Sequence, residues 1–167
     1  VDLAAPWLLA LPVSAGSAAG VDPLLPVVGA RMRPLVELLR VFAAQDETLL
    51  LMGPTGAGKS RLANWCHARS PRAGGPFVPV DLNSVPDEMQ MAELMGWRRG
   101  AFTGAVMDYQ GAVARAEGGT LFIDEIDKLT RRAQAGLLQL LESRTFRVLG
   151  GGLRTADGQQ PLPARGR

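Results

Sequence analysis

The octapeptide Gly53-Pro54-Thr55-Gly56-Ala57-Gly58-Lys59-Ser60 constrains this chain more than any other stretch. It matches G-x-x-x-x-G-K-[ST], a pattern that works only where a strand turns into a helix. There the glycines let the backbone curl, and its N–H groups converge with the positive end of the helix on an anion. The neighbouring residues supply such a junction. Thr48 to Met52 is a short apolar run that reads as a strand, and Ser60 to Arg69 reads as a helix. Within the loop, Gly53, Gly56 and Gly58 give close backbone approach, Lys59 brings a point charge to the β- and γ-phosphates, and the Ser60 hydroxyl suits Mg²⁺. The alternative is a glycine-rich turn that binds nothing, and the flanking strand and helix weigh against it.

Elsewhere the apolar pattern alternates between helix and strand. From Pro34, the residues Leu35, Leu38, Leu39 and Phe42 recur at helical spacing and predict one amphipathic helix. A second strand is predicted at Phe77 to Leu82, followed by Ser84 as a cap for a helix starting near Pro86-Asp87-Glu88. Thr120 to Ile123 reads as a third, buried strand. After Thr130 a helix follows whose predicted inner face is Ala133, Leu137, Leu138, Leu140 and Leu141. Strands alternating with helices imply an α/β sandwich around a largely parallel sheet. Residues 1–26, with Pro6, Pro12, Pro23 and Pro26, read as a linker, and the stretch 153–167 reads as a poorly ordered tail.

Two further segments carry chemistry. Asp124 and Glu125 directly follow the apolar strand, so their carboxylates emerge at the carboxyl edge of the sheet, beside any phosphates held by residues 53–60. Asp124 is then a candidate Mg²⁺ holder, and Glu125 a candidate to polarise the water attacking a γ-phosphate. An acidic cap on the next helix is the competing reading. In GAFTGA, residues 100–105, Gly100 and Gly104 allow the backbone to reverse, which places Phe102 and Thr103 at the tip as an interaction surface. An ordinary turn with the Phe102 ring tucked inward is the alternative.

Composition excludes several other classes. Lys plus Arg number 18 against 16 Asp plus Glu, a balance too even to argue for nucleic-acid binding. Cys66 is the single cysteine, so no intrachain disulfide framework exists, and a reducing cytoplasmic location is expected. No apolar run reaches the roughly 20 residues of a membrane span. His67 has no neighbouring cluster of metal-ligating residues and reads as structural.

Taken in order, VVG at 27–29, GPTGAGKS, HARSPR at 67–72, ELMGWRRGAFTGA at 93–105 and GAVARAEGGTLFIDEI at 111–126 resemble one family. It is the AAA+ ATPase domain of bacterial enhancer-binding proteins, the activators of sigma-54 RNA polymerase. The resemblance implies a P-loop NTPase three-layer sandwich over residues 27–152, with ATP and Mg²⁺ as cofactors and a hexameric ring as the working assembly. It assigns Gly53 through Arg61 (with Pro54, Thr55, Ala57 and Arg61 completing the loop) to nucleotide binding, and Val28 and Gly29 to the adenine. It assigns Ser60 and Asp124 to Mg²⁺, and Lys59, Asp124 and Glu125 to hydrolysis. The loop Gly100, Ala101, Phe102, Thr103, Gly104 and Ala105 falls to the sigma-54 contact.

The chain also departs from that family. Pro54 replaces a usual acid, and Asp81 stands where an asparagine couples the catalytic glutamate to the loop. Exchanging that amide for a carboxylate adds charge and removes a donor. Trp97 replaces a histidine and Met95 a phenylalanine, for which only packing adjustments are expected. Beyond Gly152 the strand with a sensor residue, the arginine fingers and the helical lid are not recognisable. The family's sheet order puts that missing strand between 48–52 and 120–123, so two strands are expected to lack a neighbour, with weak or no ATP hydrolysis by this polypeptide alone. The resemblance implies an ATP-driven remodeller of sigma-54 polymerase, with a non-hydrolysing interaction module or degenerate product as the alternative. An unrelated AAA+ remodeller is a third.

Overall fold

The computed structural model describes residues 22, 24–25, 29–45 and 47–156. Val28 and the greater part of the 1–26 segment lie outside these residues, as do 157–167.

Helix α1 (Arg33–Ala43) begins with Pro34 in its first turn, where a missing N–H costs nothing. Its buried residues are Val36, Leu39 and Ala43, while Leu35, Leu38 and Phe42 are exposed. The expected helix therefore forms, but it turns a different face inward. That face packs on α2 (Lys59–His67), where Trp65 has no exposed surface and Leu62 and Cys66 complete the cluster. Burial pushes the Cys66 thiol pKa up, which keeps it protonated and inert. Trp65 donates its indole N–H to Asp22 at 2.7 Å, and Arg69 pairs with the same carboxylate. This clamp ties the incoming chain to the helix that carries the P-loop.

The second cluster surrounds a parallel strand pair. Strand β1 (Phe77–Asp81) lies in register with β2 (Thr120–Asp124), Phe77 opposite Thr120 and Asp81 opposite Asp124. A close backbone approach sets this pairing at its start. A Cβ on Gly119 would lie 1.9 Å from the Pro76 carbonyl oxygen, so only glycine fits there. Between the strands the chain passes through two 3₁₀ turns, α3 (Gln90–Met95) and α4 (Ala112–Arg115). Ser84 does not cap the helix as expected: its hydroxyl donates to the Asp81 carbonyl at 2.7 Å, and Pro86 precedes the next turn without a side-chain bond.

After β2, helix α5 (Arg131–Ser143) starts where Thr130 accepts the Ala133 N–H, which supplies an N-cap. Ala133 and Leu140 are buried and Leu137 packs against the core. Leu138 and Leu141 face outward, contrary to the predicted inner face. The chain then forms an antiparallel hairpin of β3 (Thr145–Arg147) and β4 (Leu153–Thr155), so the expected tail is ordered through its first three residues.

Residues 48–52 form no strand. Leu49 and Leu51 nevertheless pack on the α1–α2 cluster, while Leu50 and Met52 are 67% and 87% exposed. The alternation of a strand persists without the ladder. Between this segment and β2 lies a cleft of about 740 Å³, lined on its inner side by Leu121, Ile123, Leu137 and Leu140. This is where the family's sheet order predicts a further strand.

Candidate nucleotide-binding site

The P-loop residues 53–58 precede α2 as a turn in which Gly56 and Gly58 have φ of 81° and 83°. Side chains disfavour that region, and neither glycine has an atom within 4 Å of a would-be Cβ, so the backbone faces open space for a ligand. Lys59 opens α2 and folds back to donate to the Gly53 and Pro54 carbonyl oxygens at 3.2 and 3.3 Å. Its ammonium thus lies over the loop rather than away from it.

Ser60 follows one residue later. Its hydroxyl donates to Oδ2 of Asp124 at 3.2 Å, across 64 positions of sequence. The other oxygen, Oδ1, accepts the Glu125 N–H at 3.0 Å, which fixes the carboxylate at the end of β2. A hydroxyl and a carboxylate oxygen at this separation are hard oxygen donors suited to Mg²⁺. Among the described residues there is no cluster of three or more His, Cys, Asp or Glu able to hold a metal by themselves, so such an ion would complete its shell with water or ligand oxygens.

Glu125 has φ 53°, a left-handed conformation that costs a non-glycine residue about 1–3 kcal/mol and is concentrated at functional sites. Its side chain makes no capping bond to the following 3₁₀ turn, whereas the Asp124 carboxylate accepts the Glu125 N–H at the start of that turn. Asp81 lies directly across the strand pair from Asp124, with its carboxylate accepting the Asn83 N–H at 2.9 Å.

Beside the P-loop a smaller cavity of about 250 Å³ is lined by Leu25, Met32, Val36, Leu62 and Arg61 along with Gly56–Gly58. Its apolar wall suits the flat face of a nucleobase. Leu25, Met32 and Val36 escape the sequence reading because their spacing resembles any core face. Gly29 lies one turn earlier, its carbonyl accepting the Met32 N–H at 2.8 Å, and Val28 falls outside the described residues. His67 bonds Thr120 at 2.9 Å through its ring and packs against Phe77 with the rings tilted by 41°, a packing role.

The loop 100–105 stands apart from this site. Gly100 and Gly104 have φ of 80° and 97°, and the Gly100 N–H donates to the Ala105 carbonyl at 2.8 Å, closing the turn. Thr103 is exposed at the tip, and the Phe102 ring folds back toward Trp97. Arg98 and Asp108 pair across the base, and the Arg99 N–H also donates to Asp108 at 2.8 Å. These bonds, the backbone one foremost, hold the Asp108 carboxyl below its usual pKa range.

A glycine turn between an apolar segment and a helix, with its serine held against an acid that ends a parallel strand, defines a P-loop NTPase fold. Comparison with known proteins agrees. A crystal structure of NtrX from Brucella abortus in complex with ATP has a TM-score of 0.69 and 30% identity, covering 77% of this chain and 27% of that one. The chain is 43% identical over 122 residues to the transcriptional regulator VasH of Vibrio cholerae, and 42% identical over 118 to the response regulator protein FleR of Pseudomonas aeruginosa. These alignments cover 73% and 71% of the chain but only 23% and 25% of the relatives. Residues 27–157 match the Sigma-54 interaction domain, and the chain belongs to that family. The match runs through β4, past the boundary expected at Gly152.

Proposed function

We propose that the chain is the ATP-binding core of a sigma-54-dependent activator, in which ATP hydrolysis moves the 100–105 loop to remodel sigma-54 RNA polymerase. The contact between Ser60 and Asp124 carries the reading, because it brings together the two motifs that must share one magnesium-bound nucleotide. Ser60 and Asp124 would hold Mg²⁺, which when bound offsets the negative charge of the phosphates. The P-loop amides and Lys59 bind the triphosphate, Lys59 exchanging its bonds to Gly53 and Pro54 for phosphate oxygens. Glu125 orients and polarises the attacking water, and the cavity at Leu25, Met32 and Val36 takes the adenine. Asp81, in register with Asp124, is the link toward the loop.

Lys59→Ala tests the site. Loss of a charge-assisted contact to phosphate weakens ATP binding about 10- to 100-fold in a nucleotide titration. Unchanged affinity would remove Lys59 from the site and the reading with it.

A second reading is favoured by Asp81, whose carboxylate is committed to Asn83 where the family resemblance has an amide able to donate. In that reading the chain binds nucleotide or sigma-54 without productive turnover. Phosphate release from ATP separates the two. Turnover by this polypeptide alone, or a rate above the relative's own when a full-length relative supplies arginine fingers, supports the ATPase; nucleotide binding with no turnover in either case supports the module.

A further inference from the structure

The base of the 100–105 loop contains an aromatic platform that the function above does not use. The Trp97 indole stacks on Tyr109 with centroids 4.2 Å apart and an interplanar angle of 20°. Its backbone is pinned from both sides. Trp97 and Tyr109 exchange N–H···O bonds of 3.0 and 2.8 Å, and the flanking Gly96 and Arg98 bond Leu149 at 3.0 and 2.9 Å. Tyr109 is itself held, its hydroxyl donating to Glu93 at 2.7 Å while Arg115 grips the other carboxylate oxygen at 2.7 Å. The indole is therefore fixed by α3, α4 and the turn between β3 and β4.

Phe102 meets that platform edge-on, its ring centroid 5.5 Å from the indole at 63°. The geometry is the favourable T-shaped arrangement of aromatic pairs. Phe102 is carried on a short turn between two left-handed glycines, so little else in the turn orients its ring. The ring lies against the indole, and 36% of the residue remains exposed. A partner that grips the whole ring has to draw it off Trp97.

We propose that Trp97 is a positioning residue for Phe102, parking its ring against the loop base and setting how often the ring is free to engage a partner. The identity of that partner as sigma-54 rests on the function proposed above; the parking does not. A ring held part of the time binds with an apparent affinity reduced by the free fraction, so releasing it strengthens binding. An aromatic pair of this type supports a change of about two- to tenfold.

The test labels the full chain with 4-fluorophenylalanine and identifies the Phe102 ¹⁹F signal as the one lost in Phe102→Leu. In the unsubstituted protein that signal is displaced from its solvent position by the indole ring current. Trp97→Leu returns it to the solvent position, and Trp97→Phe retains part of the displacement because an aromatic partner remains. In the other direction, Phe102→Leu shifts the Trp97 indole N–H signal and leaves that of Trp65, bonded to Asp22, in place. An undisplaced Phe102 signal in the unsubstituted protein, or one that Trp97→Leu does not move, overturns the inference. Titration with sigma-54 then reads the consequence, with Trp97→Leu about two- to tenfold tighter than the unsubstituted chain and Trp97→Phe close to it. Equal sigma-54 affinities among proteins that all bind overturn the regulatory part. No sigma-54 binding by any of them, with the ring displacement behaving as expected, upholds the parking and overturns the function instead.

Discussion

Asp22 shows how much a single side chain can hold outside the regular elements. Burial pushes its pKa upward more strongly than any other single influence. The Trp65 indole, the Leu24 N–H, the Arg69 charge and the Leu25 N–H together outweigh it, leaving the pKa below the ordinary value. A depressed folded-state pKa contributes stability that is fully present above the unfolded value of about 3.9 and is lost as pH falls through the folded one. Asp22→Asn keeps an acceptor for the indole but cannot titrate. In urea unfolding series the unsubstituted chain is therefore the more stable at pH 7, and its advantage shrinks as pH falls below the unfolded value and through the folded one. A constant difference across that range would mean that the Asp22 carboxylate is not held in the fold by its charge. At the candidate nucleotide site the residue-level logic differs, because the hydrogen bond between Ser60 and Asp124 is exposed and stabilises little. Their value lies in placing two oxygen donors at one point.

At the level of elements, α5 is delimited by local chemistry that the sequence displays openly. Thr130 is followed three residues later by Ala133, whose N–H it accepts, and apolar residues repeat at helical spacing behind it. Thr130→Ala removes that bond and lowers stability by about 1 kcal/mol in chemical denaturation, with Thr130→Ser recovering most of it. A loss within experimental error would show the cap to be redundant with the Gln90 contact to the Thr130 N–H. The same clarity extends to β1 and β2, where short apolar runs end in acids, and to the P-loop turn, where Gly56 and Gly58 adopt positive φ. It does not extend to helix faces. α1 and α5 are apolar over more than one side, so periodicity alone cannot say that Val36 goes inward while Leu35 and Leu38 stay out. That choice depends on the neighbours. Nor could spacing reveal β4, three residues whose strand exists only because β3 lies opposite. The smaller cavity beside the P-loop is illegible for the same reason, since Leu25 and Met32 join it only through tertiary packing.

For the molecule as a whole, the two apolar clusters divide the work of folding unequally. The one around β1, β2, α3, α4 and α5 is the larger and includes Leu94 with no exposed surface and Met95, Leu82 and Phe146 nearly so, and both clusters supply walls of the open cleft. Residues 48–52 keep the inward and outward alternation of a strand and present Leu50 and Met52 to solvent, while across about 740 Å³ the apolar residues Leu121, Ile123 and Leu137 line the other wall. Apolar surface on both sides of a cleft of that size exceeds the scattered exposure normal for a folded chain. The 167-residue polypeptide is therefore expected to bind an apolar reporter dye such as anilinonaphthalene sulfonate while its secondary structure and cooperative unfolding are intact. Leu50→Ser, on the exposed side, shifts stability by about 0.5 kcal/mol or less and weakens the dye signal. Leu94→Ala, at a fully buried position of the larger cluster, costs about 2–5 kcal/mol, a large part of a typical domain's stability. Dye binding that appears only as the chain unfolds, or that Leu50→Ser leaves untouched, would place the exposed apolar surface elsewhere and close the cleft in solution.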